Sequence, residues 1–184
     1  MLQLQSKLAT QGVTIFSTMT ALAHRLGALN LSQGFPDFPA PQALLEALSQ
    51  ATLAGHNQYP PGDGILGLRE QLALQFQQRD QIQLDPVTQI TITPGATIAI
   101  FCAIQACINV GDEVIIFDPS YDSYAPTVQV LGAKPIHLAL QHPDFSVDWN
   151  QVKDAINDRT RMIIVNSPHN PTGSVWSKAD WQQL

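Results

Sequence analysis

From about residue 89 onward the chain alternates short β-branched runs with helix-patterned stretches, and that alternation leaves few folds open. Residues 89–93 (QITIT) read as a strand, and 97–108 as an apolar helix. Gly111-Asp112 make a turn into a strand at 113–117 (EVIIF). Residues 122–131 suit a helix ended by Gly132, with Pro126 confined to its first turn. A strand at 134–140 follows, pushed toward a sheet edge by Pro135. Asp148 caps a helix running to Ile156, and 161–166 form another strand. Strands alternating with helices imply parallel crossover units. The expected class is therefore α/β: a mostly parallel sheet with flanking helices on both faces. An N-terminal helical and loop segment precedes it. Apolar residues Ile15, Phe16, Met19, Leu22, Ala23 and Leu26 keep helical spacing until Gly27. Further helices are expected at 41–54 and 66–79, joined by the loops LSQGFPDFPAP and NQYPPGDG.

Composition narrows the partners. An apolar fraction of 45% against 13% charged residues fits a globular core, and 184 residues suffice for one. A net charge of −6 without a basic cluster disfavours nucleic acid. No run approaches the roughly 18 apolar residues of a membrane span, and the first residues do not resemble a signal peptide. The cytoplasm is the expected compartment. Cys102 and Cys107 fall about 140° apart on a helix, so they would not pair. They read as buried packing thiols in a reducing compartment, with no metal site.

Three stretches carry chemistry. In TPGATIAI a strand ends, Pro94-Gly95 turn, and a helix starts near Ala96. Backbone amides and the helix dipole would suit a phosphate there, with Gly95 allowing close approach and Thr97 adding a hydroxyl. On its own the segment is more simply an ordinary strand-to-helix turn. It is not a G-x-G-x-x-G fingerprint and carries no Walker lysine, which disfavours dinucleotides and nucleoside triphosphates. In FDPSYDSYAP, Tyr121 lies in a loop over the carboxyl ends of the strands. Its ring could stack on a planar ligand, or Tyr121 and Tyr124 could simply cover the sheet end. In MIIVNSPHNPTG, Asn170 sits before a proline in extended backbone, its carboxamide able to donate to a phenolate oxygen. His169 reads as a surface-loop histidine rather than a general base.

LSQGFPDFPAP, NQYPPGDGILGLRE, TPGAT, DPSYDSYAP and NSPHNPTG, in that order, resemble fold type I, pyridoxal-phosphate-dependent aminotransferases of class I/II. Within them the chain is most similar to the methionine aminotransferase and kynurenine aminotransferase (glutamine transaminase K) branch. The similarity runs from about Ser6 to Leu184, and DPSYDSYAP and SPHNPT favour methionine-preferring enzymes. The resemblance implies pyridoxal 5'-phosphate as cofactor. It places the phosphate at Gly95, Ala96 and Thr97, the ring against Tyr121, and the ring's phenolic oxygen at Asn170, with Asn166 nearby. It implies substrate contacts from Phe16, Gly34 and Asn170, although Phe16 equally fits the apolar stripe of its helix. Tyr59 would reach a neighbouring subunit's cofactor phosphate, making the functional unit a homodimer. The implied reaction exchanges the amino group of a large neutral or aromatic amino acid with a 2-oxo acid. Residues 1–40 would form an N-terminal arm and substrate loop belonging to a small domain. Residues 41–184 would form an incomplete cofactor-binding large domain.

The pattern also has gaps. Lys7, Lys134, Lys153 and Lys178 are the only lysines, and none lies in the serine-rich context of the family's Schiff-base lysine. The family's ring-nitrogen aspartate and carboxylate-clamping arginine come later in the sequence as well. Ser177 with Asp180 starts a helix that has barely begun at Leu184. The expectation is an amino-terminal portion, inactive alone, with strand 89–93 lacking a neighbour supplied from further along. Such a piece should be marginally stable or prone to aggregate. Two alternatives stand beside it: a pyridoxal-phosphate-dependent cysteine-conjugate β-lyase, and a non-catalytic remnant.

Overall fold

The computed structural model describes residues 5–8, 12–34 and 36–184. They divide into two units, one of residues 14–94 and one built mainly from 95–184 with the N-terminal residues.

In the 14–94 unit three helices follow their sequence signals. Helix α1, Ile15–Leu26, is capped by Thr14, whose hydroxyl accepts from the Ser17 N–H, and is closed by Gly27. Helix α2, Gln42–Leu53, starts after Pro41, and α3 spans Leu66–Asp80. A buried arginine, Arg69 on α3, ties this unit's loops together. It pairs with Asp63 at 2.8 Å and donates to the carbonyls of Pro86 and Val87 at 2.8 and 3.2 Å. Gly64 has φ +96, and a Cβ there would collide with the Ile92 side chain, so only glycine fits between Asp63 and that segment. Residues 89–93, expected as a strand, are not one. The Ile92 N–H bonds to the Asp63 carbonyl at 3.0 Å, and no described strand lies beside it. β-Branched composition suits an extended chain, but a strand exists only when a neighbour completes the ladder.

The second unit is the expected parallel α/β layer. Helix α4, Ala96–Cys107, leads into β1, Glu113–Asp118. Then come α5, Tyr124–Val130; β2, Lys134–Ala139; α6, Trp149–Ala155; β3, Thr160–Ile164; and α7, Lys178–Gln183. The strand order is β2-β1-β3, all parallel, with Pro135 on an edge strand as its missing N–H demands. The central strand is the most buried, with Val114, Ile115 and Ile116 fully inaccessible. Its side chains alternate between faces. Val114 and Ile116 meet Ile104 of α4 and Tyr124 and Val128 of α5, while Ile115 and Phe117 meet Leu140 and Val152 of α6. On the second face Trp176 stands edge-on to Phe117 and Trp149 and tilts against Trp181, joining α7 to the layer. Ser177 and Asp180 form a complete capping box at the start of α7.

Cys102 and Cys107, expected to be buried, are exposed. The inward stripe of α4 is Ile100 and Ile104, four apart, continued by Ile108 just past the helix end. Cys102 falls about 200° from Ile104 around that helix, and Cys107 ends it.

At the amino ends of the strands, Glu113 is a buried anchor. It accepts from Asn157 at 2.8 Å, pairs with Arg159 at 2.9 Å, and lies 3.7 Å from Lys134 at the start of β2. The Asn157 hydrogen bond, against the opposing effect of desolvation and with Arg159 and Lys134 assisting, holds its pKa below the usual carboxylate value. A carboxyl whose folded pKa is depressed stabilises above its unfolded pKa, about 4.3, and that contribution disappears as pH falls through the lower folded value. Thermal unfolding of Glu113→Gln should therefore fall below wild type at neutral pH, and the two midpoints should converge in acid. A deficit that does not shrink as the pH is lowered through the carboxylate range would disprove the assignment.

Candidate active site

The chain leaves β1 through α5 to reach β2 on one side, then returns through α6 to β3 on the other. The order thus reverses between β1 and β3. In open parallel sheets the carboxyl ends of the strands flanking such a reversal form the ligand crevice. The loop after β1 carries Tyr121, and the loop after β3 carries Asn166 and Asn170.

Gly95 precedes α4 with φ +94 and ψ 163, a region essentially reserved for glycine, and no heavy atom lies within 4 Å of where its Cβ would stand. Being glycine, the N-cap residue brings no capping side chain of its own to α4. Thr97, in its first turn, shares a 2.9 Å hydrogen bond with the Tyr121 hydroxyl, which joins the start of α4 to the loop after β1. The Tyr121 ring stands edge-on to Tyr124, 5.7 Å between centroids. Burial, and secondarily Tyr121, push the Tyr124 pKa up, so its hydroxyl remains protonated.

On the other loop, the Asn170 N–H donates to Asn166 Oδ1 at 2.8 Å, and Asn170 itself is exposed. A small cavity between the loops is lined by Phe117, Tyr124, Ile164, Asn166, His169 and Trp176, among others. Tyr124 thereby links the Thr97–Tyr121 pair to the Asn166–Asn170 pair. His169, expected on the surface, is only 7% exposed. Its Nδ1 lies 2.8 Å from Thr172 Oγ1, and that bond is what lets a polar ring sit inside. Desolvation lowers its pKa, so the ring is neutral at pH 7.

Phe16, Gly34 and Tyr59 belong to the 14–94 unit. Phe16 is partly exposed on α1 and Tyr59 is wholly exposed. Asp118, which the sequence does not single out, ends β1, accepts from Ser120 at 2.9 Å and meets His137 Nδ1 at 2.8 Å. Thr172 and Ser174 are equally unmarked in sequence, their one signal being polar spacing after His169.

The donor set suits pyridoxal 5'-phosphate. A helix start opened by a glycine, with the Thr97 hydroxyl, suits a phosphate; Tyr121 offers an aromatic face; the exposed Asn170 offers a carboxamide donor to a ring oxygen. Among the described residues no helix is long and apolar enough to cross a membrane, and no group of His, Cys, Asp or Glu could hold a metal ion.

Comparison with known proteins gives the same class. Residues 27–184 match the family Aminotransferase class I and II. The chain is 48% identical over 180 residues to the methionine aminotransferase of Escherichia coli K12, covering 98% of this chain and 47% of that one. It is 35% identical over 181 residues to human kynurenine–oxoglutarate transaminase 3, covering 92% and 40%. Among solved structures, YbdL of E. coli, identified as a methionine aminotransferase, superposes with a TM-score of 0.92 at 47% identity, covering 99% of this chain and 47% of that one. The chain belongs to the class I and II aminotransferases, a family of pyridoxal-phosphate-dependent enzymes with the fold type I architecture. It spans about half the length of the curated relatives it matches.

Proposed function

We propose that this chain supplies the amino-terminal part of a pyridoxal 5'-phosphate-dependent aminotransferase for methionine and other large neutral or aromatic amino acids, with a 2-oxo acid as acceptor. The observation that carries the reading is the pairing of Thr97 with Tyr121 and of Asn166 with Asn170, on elements flanking the order reversal between β1 and β3. When bound, the cofactor supplies an electron sink for moving an amino group between carbon skeletons. Gly95, Ala96 and Thr97 hold its phosphate, Tyr121 orients its ring, and Asn170, steadied by Asn166, donates to its phenolic oxygen. Phe16 and Gly34 contact substrate, and a thioether against the Phe16 ring would favour methionine. Tyr59, fully exposed, serves the partner's phosphate in a homodimer. Residues 1–40 act as arm and substrate loop, and 41–184 as part of the cofactor domain. The substrate reading draws support from the E. coli and human relatives. None of the chain's lysines carries the family's cofactor-anchoring context, so proton transfer at the substrate carbon is assigned to residues outside these 184.

Equilibrium dialysis against pyridoxal 5'-phosphate alone tests this. The chain should retain the cofactor non-covalently, and excess inorganic phosphate should displace it from the start of α4. Borohydride should fix none of it to a single lysine. No retention, or retention indifferent to phosphate, refutes the proposal.

A further inference from the structure

Two adjacent residues in the loop after β3 differ sharply in burial. His169 is buried against the sheet end and Asn170 is exposed. The chain turns from Asn170 to Thr172, and hydrogen bonds close that turn on His169, so anchoring the histidine fixes where the turn holds its neighbour. His169 is anchored by more than packing. Its Nδ1 meets Thr172 Oγ1 at 2.8 Å; that oxygen also accepts the Ser174 N–H at 3.2 Å and lies 2.9 Å from Ser174 Oγ. The backbone closes the same loop twice: the Gly173 N–H donates to the His169 carbonyl at 2.7 Å, and the His169 N–H to the Ser174 carbonyl at 2.8 Å. The Asn170 N–H then reaches Asn166 Oδ1 at the end of the strand segment.

We propose that His169 is a positioning residue for Asn170: its ring, tied through Nδ1 to Thr172 and Ser174, locks the loop so that the Asn170 carboxamide is presented toward the crevice. A ring of fixed orientation transmits that order, whereas an apolar side chain of similar size would fill the space and leave Thr172 bonded to Ser174 alone. Because burial keeps the imidazole neutral at pH 7, it offers one donor and one acceptor nitrogen. The proton on Nδ1 is set by whether Thr172 gives its hydroxyl proton to the ring or to Ser174. The last step, presentation to a cofactor, rests on the function proposed above; the order of the loop does not.

Amide hydrogen exchange of the cofactor-free chain, read by NMR at Asn170 and Gly173, tests the lock. His169→Leu should speed exchange there by about tenfold, the equivalent of one lost hydrogen bond; Thr172→Val, which removes that bond and two to Ser174, should do so by at least as much, and the two together little more than Thr172→Val alone. His169→Asn places an amide where Nδ1 stood and should restore protection. His169→Gln, whose amide reaches the Nε2 position, should not. Pyridoxal 5'-phosphate affinity should weaken in the same order. Unchanged exchange in Thr172→Val, or His169→Asn no better than His169→Gln, overturns the inference and leaves mere packing. Should His169→Leu fail to fold, the Thr172→Val and Asn/Gln comparisons still decide. Absence of cofactor binding by the wild-type chain would sink the proposed function while the exchange data still judge the lock.

Discussion

Asn170→Ala will weaken pyridoxal 5'-phosphate binding by roughly ten- to 150-fold, the loss of one hydrogen bond to a charged oxygen at about 1.5–3 kcal/mol. The substitution removes only the carboxamide of an exposed residue. The backbone N–H that donates to Asn166 remains, so loop and fold should persist. Equilibrium dialysis and thermal unfolding of the same sample separate the two effects. Affinity should fall while the melting temperature holds. If affinity does not change, Asn170 does not meet the cofactor, and the Asn166–Asn170 pair loses its assigned purpose.

Ile115→Ala will cost the sheet unit about 2–5 kcal/mol, the usual range for emptying a fully buried aliphatic site. Ile115 sits at the centre of β1, in register with Ile136 of β2 and Ile163 of β3, and faces the Phe117, Leu140 and Val152 cluster. Relaxation around it is limited because both neighbouring strands carry isoleucine at the same level. Against a domain stability of about 5–15 kcal/mol, this removes a large fraction from one residue. Urea denaturation followed by far-ultraviolet circular dichroism reads it as a lower midpoint with an unchanged slope. A shift equivalent to less than about 1 kcal/mol would show that β1 is not the core strand.

Most of the fold was legible because the signals were local. EVIIF is a continuous apolar run and becomes the central strand, Pro135 forces an edge, and Thr14, Asp148 and Ser177 cap helices as short polar side chains do. Residues 89–93 misled because QITIT has strand composition, while a ladder depends on a neighbour that composition does not name. The cysteines misled because an apolar helix does not say which of its sides is covered; only the Ile100–Ile104–Ile108 stripe, seen against the sheet, does. For the site, the ordered motifs identified the loops and the side chains in them. What stayed hidden was long-range or conformational: the Thr97–Tyr121 bond across 24 residues, and a histidine turned inward in a polar loop. No residue-level pattern encodes either, since both follow from how α4 and the two loops converge.

The packing of Trp176 between Phe117, Trp149 and Trp181 also determines what light can report about this chain. All three indoles of the sequence belong to that one cluster, and residues 14–94 contain none. Tryptophan emission therefore follows the sheet unit alone, while backbone ellipticity sums the helices of both units, so a departure of the second signal from the first reports residues 14–94. Recording both along one denaturation curve separates the two halves without any label.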